Sequence, residues 1–179
     1  MEASIANSVE PGTPVLICIN GYFGERLADM AKRYGGDVST IHRPWGEVFT
    51  PSEIEQALRE KPAKVVAIVH AETSTGAEQP LDEIAKIVHN HGAILIVDAV
   101  TSLGGVPLSV DEIGIDICYS GTPKCISAPP GLGPITFNER ALNLMQSRKA
   151  PVTSWYLDMS LVQAYWGPNR TYHHTAPIT

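Results

Sequence analysis

Three uninterrupted apolar runs constrain this chain more than any other feature: VLICI at 15–19, VVAIV at 65–69 and ILIV at 94–97. A strand with one face in water alternates apolar and polar side chains, whereas a strand covered on both faces does not. Each run is too short for a helix and rich in valine and isoleucine, whose branched Cβ suits a pleated strand. The segments between them carry helical spacing instead: Leu27, Met30 and Ala31 in a helix to about Tyr34; Ile54, Ala57 and Leu58; Leu81, Ile84, Ala85 and Val88. Thr50, Pro51 and Glu53 form a capping-box signature for the second of these. Weaker strands are expected at 38–41, 117–119 and 134–137, with a helix at 139–146. Parallel neighbours need long crossovers, and helices supply them. The expected fold is therefore α/β, a mostly parallel sheet between two helical layers.

At 179 residues the chain suits one domain. Its 44% hydrophobic and 18% charged residues are a globular composition. A net charge of -6 with no basic block argues against a nucleic-acid partner. No run of eighteen apolar residues predicts a membrane span, and no basic, apolar leader opens the chain. Cys18, Cys118 and Cys125 lie in or beside apolar runs without metal-ligand spacing, which reads as reduced, buried thiols in a cytosol-like compartment. From about Lys149 the periodic signal weakens. Aromatic residues and the pair His173–His174 there suggest a surface that packs on another element.

In an open parallel sheet, sites form beyond the carboxyl ends of the strands. Three polar clusters fall there: His70, Glu72, Thr73, Ser74 and Thr75; Asp98; and Ser120, Thr122 and Lys124. Lys124 has no acidic residue within seven positions on either side. It is either a solvated loop charge or an amine held for chemistry. A lysine amine condenses with an aldehyde, and a pyridoxal cofactor also needs an acid at its ring nitrogen, which Asp98 could supply. Thr73 or Ser74 could bond the ring hydroxyl, and Phe23 could stack on the ring. Ser120, Thr122 and backbone amides could hold phosphate. Gly131-Leu132-Gly133 would let the backbone pass close by. No P-loop, dinucleotide fingerprint or nucleophile elbow supports a rival chemistry, and no metal site is expected.

Several blocks together carry a family resemblance: MEASIANSVEPG, NGYFGERLADMAKRYG, HAETSTGAEQPLDEIAKIVHNHG, LIVDAVTSLGGVPLSVDEIGIDICYSG, PKCISAPPG and RTYHHTAP. In this order, with 26 residues from Asp98 to Lys124, the chain resembles the class V, fold-type I pyridoxal-phosphate aminotransferases. Within them it is most similar to the alanine-glyoxylate and serine-pyruvate group. The resemblance implies Lys124 as the Schiff-base lysine and Asp98 as the partner of the pyridine nitrogen. It implies Thr73 beside the cofactor ring and Phe23 as the stacking aromatic. Tyr172 and Thr175 match residues that reach the phosphate of the partner subunit's cofactor, which implies a homodimer with shared sites. The substrates so implied are a small amino acid, alanine or serine, and glyoxylate or pyruvate. Sister chemistries on the same frame remain open: kynurenine-pathway or phosphonate transamination, cysteine desulfuration, or a non-catalytic remnant. Cys125, beside Lys124, reads as a packing residue.

Two departures stand out. Pro123 occupies the place where relatives often carry glutamine before the lysine, so a side-chain or amide contact to phosphate is lost there. Family members are also roughly twice as long. The resemblance makes residues 1–179 part of the cofactor-binding large domain, with about 150–179 as a connecting, dimer-contacting segment. An N-terminal arm with its phosphate loop, and a small domain with a carboxylate-clamping arginine, would lie elsewhere in a parent enzyme. The isolated chain is expected to be weakly active or inactive. The resemblance leaves the compartment open among cytosol, peroxisome and mitochondrion.

Overall fold

The structure, a computed structural model, describes residues 1–166 and 168. Along the chain run α1 (Glu2–Ser8), β1 (Pro14–Ile19), α2 (Tyr22–Arg33), β2 (Asp37–His42), α3 (Pro51–Glu60) and β3 (Val65–Val69). A small hairpin of β4 (Ala71–Glu72) and β5 (Ala77–Glu78) comes next, then α4 (Asp82–Asn90), β6 (Ile94–Asp98) and α5 (Val110–Ile113). The chain continues through β7 (Ile117–Tyr119), β8 (Ile135–Phe137), α6 (Glu139–Gln146) and α7 (Met159–Trp166).

The three apolar runs become the centre of one six-stranded sheet, in the order β2-β1-β3-β6-β7-β8. Every neighbouring pair is parallel except β7 and β8. Successive residues of each strand serve opposite faces. On one face Leu16, Val66, Ile68, Leu95 and Val97 pack with Ile54 and Leu58 of α3 and Ile84 and Val88 of α4. On the other, Ile17, Val65, Ala67, Ile96 and Tyr119 pack with Ile5 of α1, Leu27 and Ala31 of α2 and Ala141 of α6. Fully burying each large aliphatic side chain contributes roughly 1.5–3 kcal/mol. Two separate cores on one sheet give the three-layer architecture read from the sequence.

Local chemistry explains most element boundaries. The capping box forms as expected, with the Thr50 amide donating to the Glu53 carboxylate at 2.8 Å. Helix α2, by contrast, starts at Tyr22, a turn earlier than its apolar spacing indicates. The reason is tertiary: the Glu72 carboxylate, 49 residues on from Phe23, accepts the Phe23 amide at 3.1 Å and the Gly24 amide at 3.3 Å. These are donors a helix start leaves without intrahelical partners. The β4–β5 hairpin and α5 escaped the sequence reading because two- to four-residue elements carry no periodicity. α7 lies in the stretch read as sparse in secondary structure.

At the amino ends of the strands, Asp116 is fully buried. It accepts from the Leu95 amide at 2.7 Å, Asn138 Nδ2 at 2.8 Å and Arg140 Nε at 3.2 Å, and His89 Nε2 lies 2.9 Å away. One side chain thereby joins the end of α4, the start of β6 and the start of α6. No helix among the described residues is long and apolar enough to cross a membrane.

Candidate active site

The opposite, carboxyl ends of β3, β6 and β7 carry the candidate residues. Strand parity places Asp98 on the same sheet face as Ile94 and Ile96, and the register sets it beside Val69 on one side and Tyr119 on the other. Asp98 is 3% exposed. Its Oδ1 accepts the Val100 amide at 2.9 Å and its Oδ2 accepts the Tyr119 hydroxyl at 2.8 Å. Burial raises the carboxyl pKa above its ordinary value, and these two hydrogen bonds pull against that shift. Both donors are neutral, so the ionised group retains its full charge. A carboxylate has about four lone-pair positions, so capacity for a further donor remains.

The segment after β3 folds back on this strand end. His70, buried, places Nδ1 2.9 Å from Ser102 Oγ, and its amide donates to the Asp98 carbonyl at 2.9 Å. Ser102 is itself 1% exposed, so it is out of reach as a nucleophile. Glu72 is buried too, and it holds Ser74 Oγ at 2.7 Å besides the two α2 amides. The turn between β4 and β5 brings the Thr73 hydroxyl to the Thr101 hydroxyl, with which it shares a hydrogen bond. Gly21 has to be glycine here, because an added Cβ would lie 2.3 Å from the Glu72 side chain. Glu72 thus anchors the first turn of α2, which carries Phe23. The Arg26 guanidinium lies 4.9 Å from the centre of the Phe23 ring, in cation–π range.

Lys124 sits in a turn that the backbone closes on itself. The Ser127 amide donates to the Lys124 carbonyl at 2.8 Å and the Ala128 amide to the Thr122 carbonyl at 3.0 Å. Ser127 has φ 57°, a left-handed conformation that costs a non-glycine residue about 1–2 kcal/mol. Among the described residues the Lys124 side chain has no hydrogen bond or ion pair. Cys125 is exposed rather than the buried packing residue expected from the sequence, because it lies in the surface turn that carries Lys124, where its Sγ–H donates to the Thr101 carbonyl at 3.0 Å.

A cavity of about 180 Å³ gathers four of the residues singled out from the sequence, Phe23, Thr73, Asp98 and Lys124, together with Arg26 and Thr101. Apolar walls come from Val69, Ala71 and Val100. Ser120 and Thr122 do not line it. Their hydroxyls donate to backbone carbonyls, Ser120 to Ala99 at 3.1 Å and Thr122 to Pro129 at 2.7 Å. Gly131-Leu132-Gly133 does not line the cavity either; its contact is with Thr122, whose amide donates to the Leu132 carbonyl at 3.2 Å. Tyr172 and Thr175 lie outside the described residues. Three participants, Tyr119, Arg26 and Thr101, went unread in the sequence. Tyr119 counted there only as a strand residue, since its register with Asp98 is not written locally. Arg26 sits one helical turn after Phe23, a spacing that could have flagged it.

A family model described as Aminotransferase class-V matches residues 2–170. The chain belongs to the class-V aminotransferase family. Its relatives include the (S)-ureidoglycine–glyoxylate transaminase of Bacillus subtilis, 40% identical over 100% of this chain and 47% of that protein. The alanine–glyoxylate aminotransferase of Rattus norvegicus is 40% identical over 99% of this chain and 44% of its own length. The crystal structure of the alanine–glyoxylate aminotransferase from Nostoc sp. superposes with a TM-score of 0.96 at 53% identity, covering 99% of this chain and 47% of that one. This class-V aminotransferase chain therefore has the fold-type I sheet, and it spans about half the length of the relatives it matches.

Proposed function

We propose that the protein carrying this chain is a pyridoxal-phosphate-dependent transaminase that moves the amino group of a small amino acid onto glyoxylate or a related 2-oxo acid. The carrying observation is the convergence of Asp98 and Lys124 on one cavity with Phe23 and Thr73. The donor set fits the cofactor. A buried carboxylate with spare acceptor capacity suits a protonated ring nitrogen, and an aromatic side chain offers a stacking face. A hydroxyl stands at the rim, and an unpaired amine suits an aldehyde. Bound there, the cofactor would supply an electron sink for the substrate's α-carbon.

The chain's own residues then divide the work. Asp98 would accept the ring N–H and keep it protonated. Phe23, fixed through Glu72, would orient the ring, and the Thr73–Thr101 pair would meet its hydroxyl side. Lys124 Nζ would bind the aldehyde and, once displaced by substrate, move the proton at the α-carbon. The hydroxyls of Ser120 and Thr122 already donate to carbonyls, so phosphate would rely on backbone amides and on Tyr172 and Thr175 of a second copy in a homodimer. The names of the three relatives given above agree on glyoxylate and differ in the amino donor, alanine or ureidoglycine, whereas a structural neighbour at the lower identity of 32% is named for pyruvate. This supports glyoxylate as acceptor here over pyruvate and leaves the donor to experiment.

The test uses the full-length protein containing this chain. Incubation with pyridoxal phosphate followed by borohydride should fix the cofactor to Lys124, read by peptide mass. A donor screen against glyoxylate should then yield glycine. A cofactor trapped on another lysine, or no glycine with any amino donor, overturns the proposal.

A further inference from the structure

Resting on that reading of the cavity, we propose that Tyr119 is a positioning residue of the site: its phenol fixes the Asp98 carboxylate and so governs how strongly that carboxylate binds a ring N–H. Tyr119 and Asp98 are direct partners in the β6–β7 register and share a sheet face. Tyr119 is 2% exposed, packed in the core beneath the site, so its hydroxyl is held by its neighbours and cannot swing to water. It donates to Oδ2 at 2.8 Å, while the Val100 amide donates to Oδ1 at 2.9 Å. Two donors on different oxygens fix the plane of the carboxylate, as a single donor would not. The remaining lone pairs belong to a group that lines the cavity.

The chemistry of the donor matters as much as its place. A guanidinium in the position of Tyr119 would neutralise Asp98 and compete with a cationic ring nitrogen. A phenol stabilises the ionised form without cancelling its charge. The other charged or titratable groups felt at this pair are few. Glu72 opposes ionisation of Asp98. The Asp98 charge also bears on Cys118, and Arg26 bears on Tyr119. Lys124 faces the same cavity. Tyr119 is the only side-chain donor to Asp98 among the described residues.

The experiment compares the full-length protein with Tyr119→Phe, which keeps the ring and deletes the donor. In the cofactor-free protein with 13C-labelled aspartate carboxyls, the signal assigned through Asp98→Asn should titrate at higher pH in Tyr119→Phe than in the parent. Affinity for pyridoxal phosphate should fall about tenfold, the loss expected for a hydrogen bond to a charged group. The acid limb of the kcat/KM profile should move up in pH. Should Tyr119→Phe not fold, a difluorotyrosine at 119, a stronger donor of nearly the same shape, should move the titration down. An Asp98 titration unmoved by the variant that folds overturns the proposal. A titration that moves in a protein that takes up no cofactor upholds the Tyr119–Asp98 linkage and overturns the transaminase reading instead.

Discussion

Asp98 and Asp116 lie on neighbouring strand segments, both buried, at opposite ends of the sheet. Asp116 meets a guanidinium, an imidazole, a carboxamide and a backbone amide. Asp98 meets one amide and one phenol. The first arrangement satisfies a buried charge from several sides and uses it to join three elements. The second orients a charge and leaves it under-compensated at the edge of a cavity. The difference teaches how one residue type can be joint or tool, depending on whether its donors neutralise it. It also shows where stability has been given up, because a carboxylate desolvated without a cationic partner is costly to bury.

The sharpest break between the two ends is Lys124→Ala. It should lower turnover at the carboxyl end by about 10⁴-fold, the upper range for losing a positioned proton-transfer group. Stability should change by no more than about 0.5 kcal/mol, since Lys124 is exposed. Borohydride trapping and urea unfolding on the same variant measure both, and retained trapping would end the site assignment. The reverse experiment is Asp116→Ala. It leaves the buried Leu95 amide without its acceptor, while the part-exposed Arg140 and His89 can turn to water, so it should cost about 1–3 kcal/mol, read as a lower urea midpoint. The folded fraction should still trap cofactor on Lys124. A midpoint within error of the parent would show that Asp116 is no joint.

Asp98→Asn sharpens the contrast because its two effects have opposite signs. Turnover should fall about 10²–10³-fold, as the ring nitrogen loses its anionic partner. Stability of the cofactor-free protein should rise at neutral pH. The folded carboxyl has a raised pKa, so between its unfolded value near 3.8 and that raised value the native state holds more protons than the unfolded one. Stability is therefore lost as pH rises through this window, and asparagine removes the loss. Urea curves at acid and neutral pH test this. A variant less stable than the parent at neutral pH would place Asp98 with Asp116, as a structural carboxylate.

Sequence was most informative where the signal is local. The apolar runs at 65–69 and 117–119 coincide with β3 and β7, and Thr50 with Glu53 caps α3, because burial pattern and capping chemistry are written within a few residues. Phe23, Thr73, Asp98 and Lys124 could be chosen from strand ends and family blocks, and the structure brings them to one cavity. Tyr119 could not be chosen, since its meaning lies in a register 21 residues from Asp98. The early start of α2 was hidden likewise, because its capping carboxylate comes from the β4–β5 hairpin. Ser120 and Thr122 show the converse. Their composition suits phosphate, yet close backbone carbonyls take their hydroxyl protons.

The smallest predicted effect tests whether the carboxyl end is destabilised by more than Asp98. His70 is buried, and burial lowers its pKa, while Glu78, exposed and 3.9 Å away, raises it less. Between the depressed folded value and the ordinary one near 6.5, the unfolded chain binds more protons than the native one. Stability should therefore be full above about pH 6.5 and decline as pH falls through that window. His70→Asn can keep the hydrogen bond to Ser102 Oγ without titrating. It should flatten the difference in urea midpoint between pH 7.5 and pH 5.5, with little change at pH 7.5. Should the slope persist in this variant, the acid sensitivity arises elsewhere than at His70.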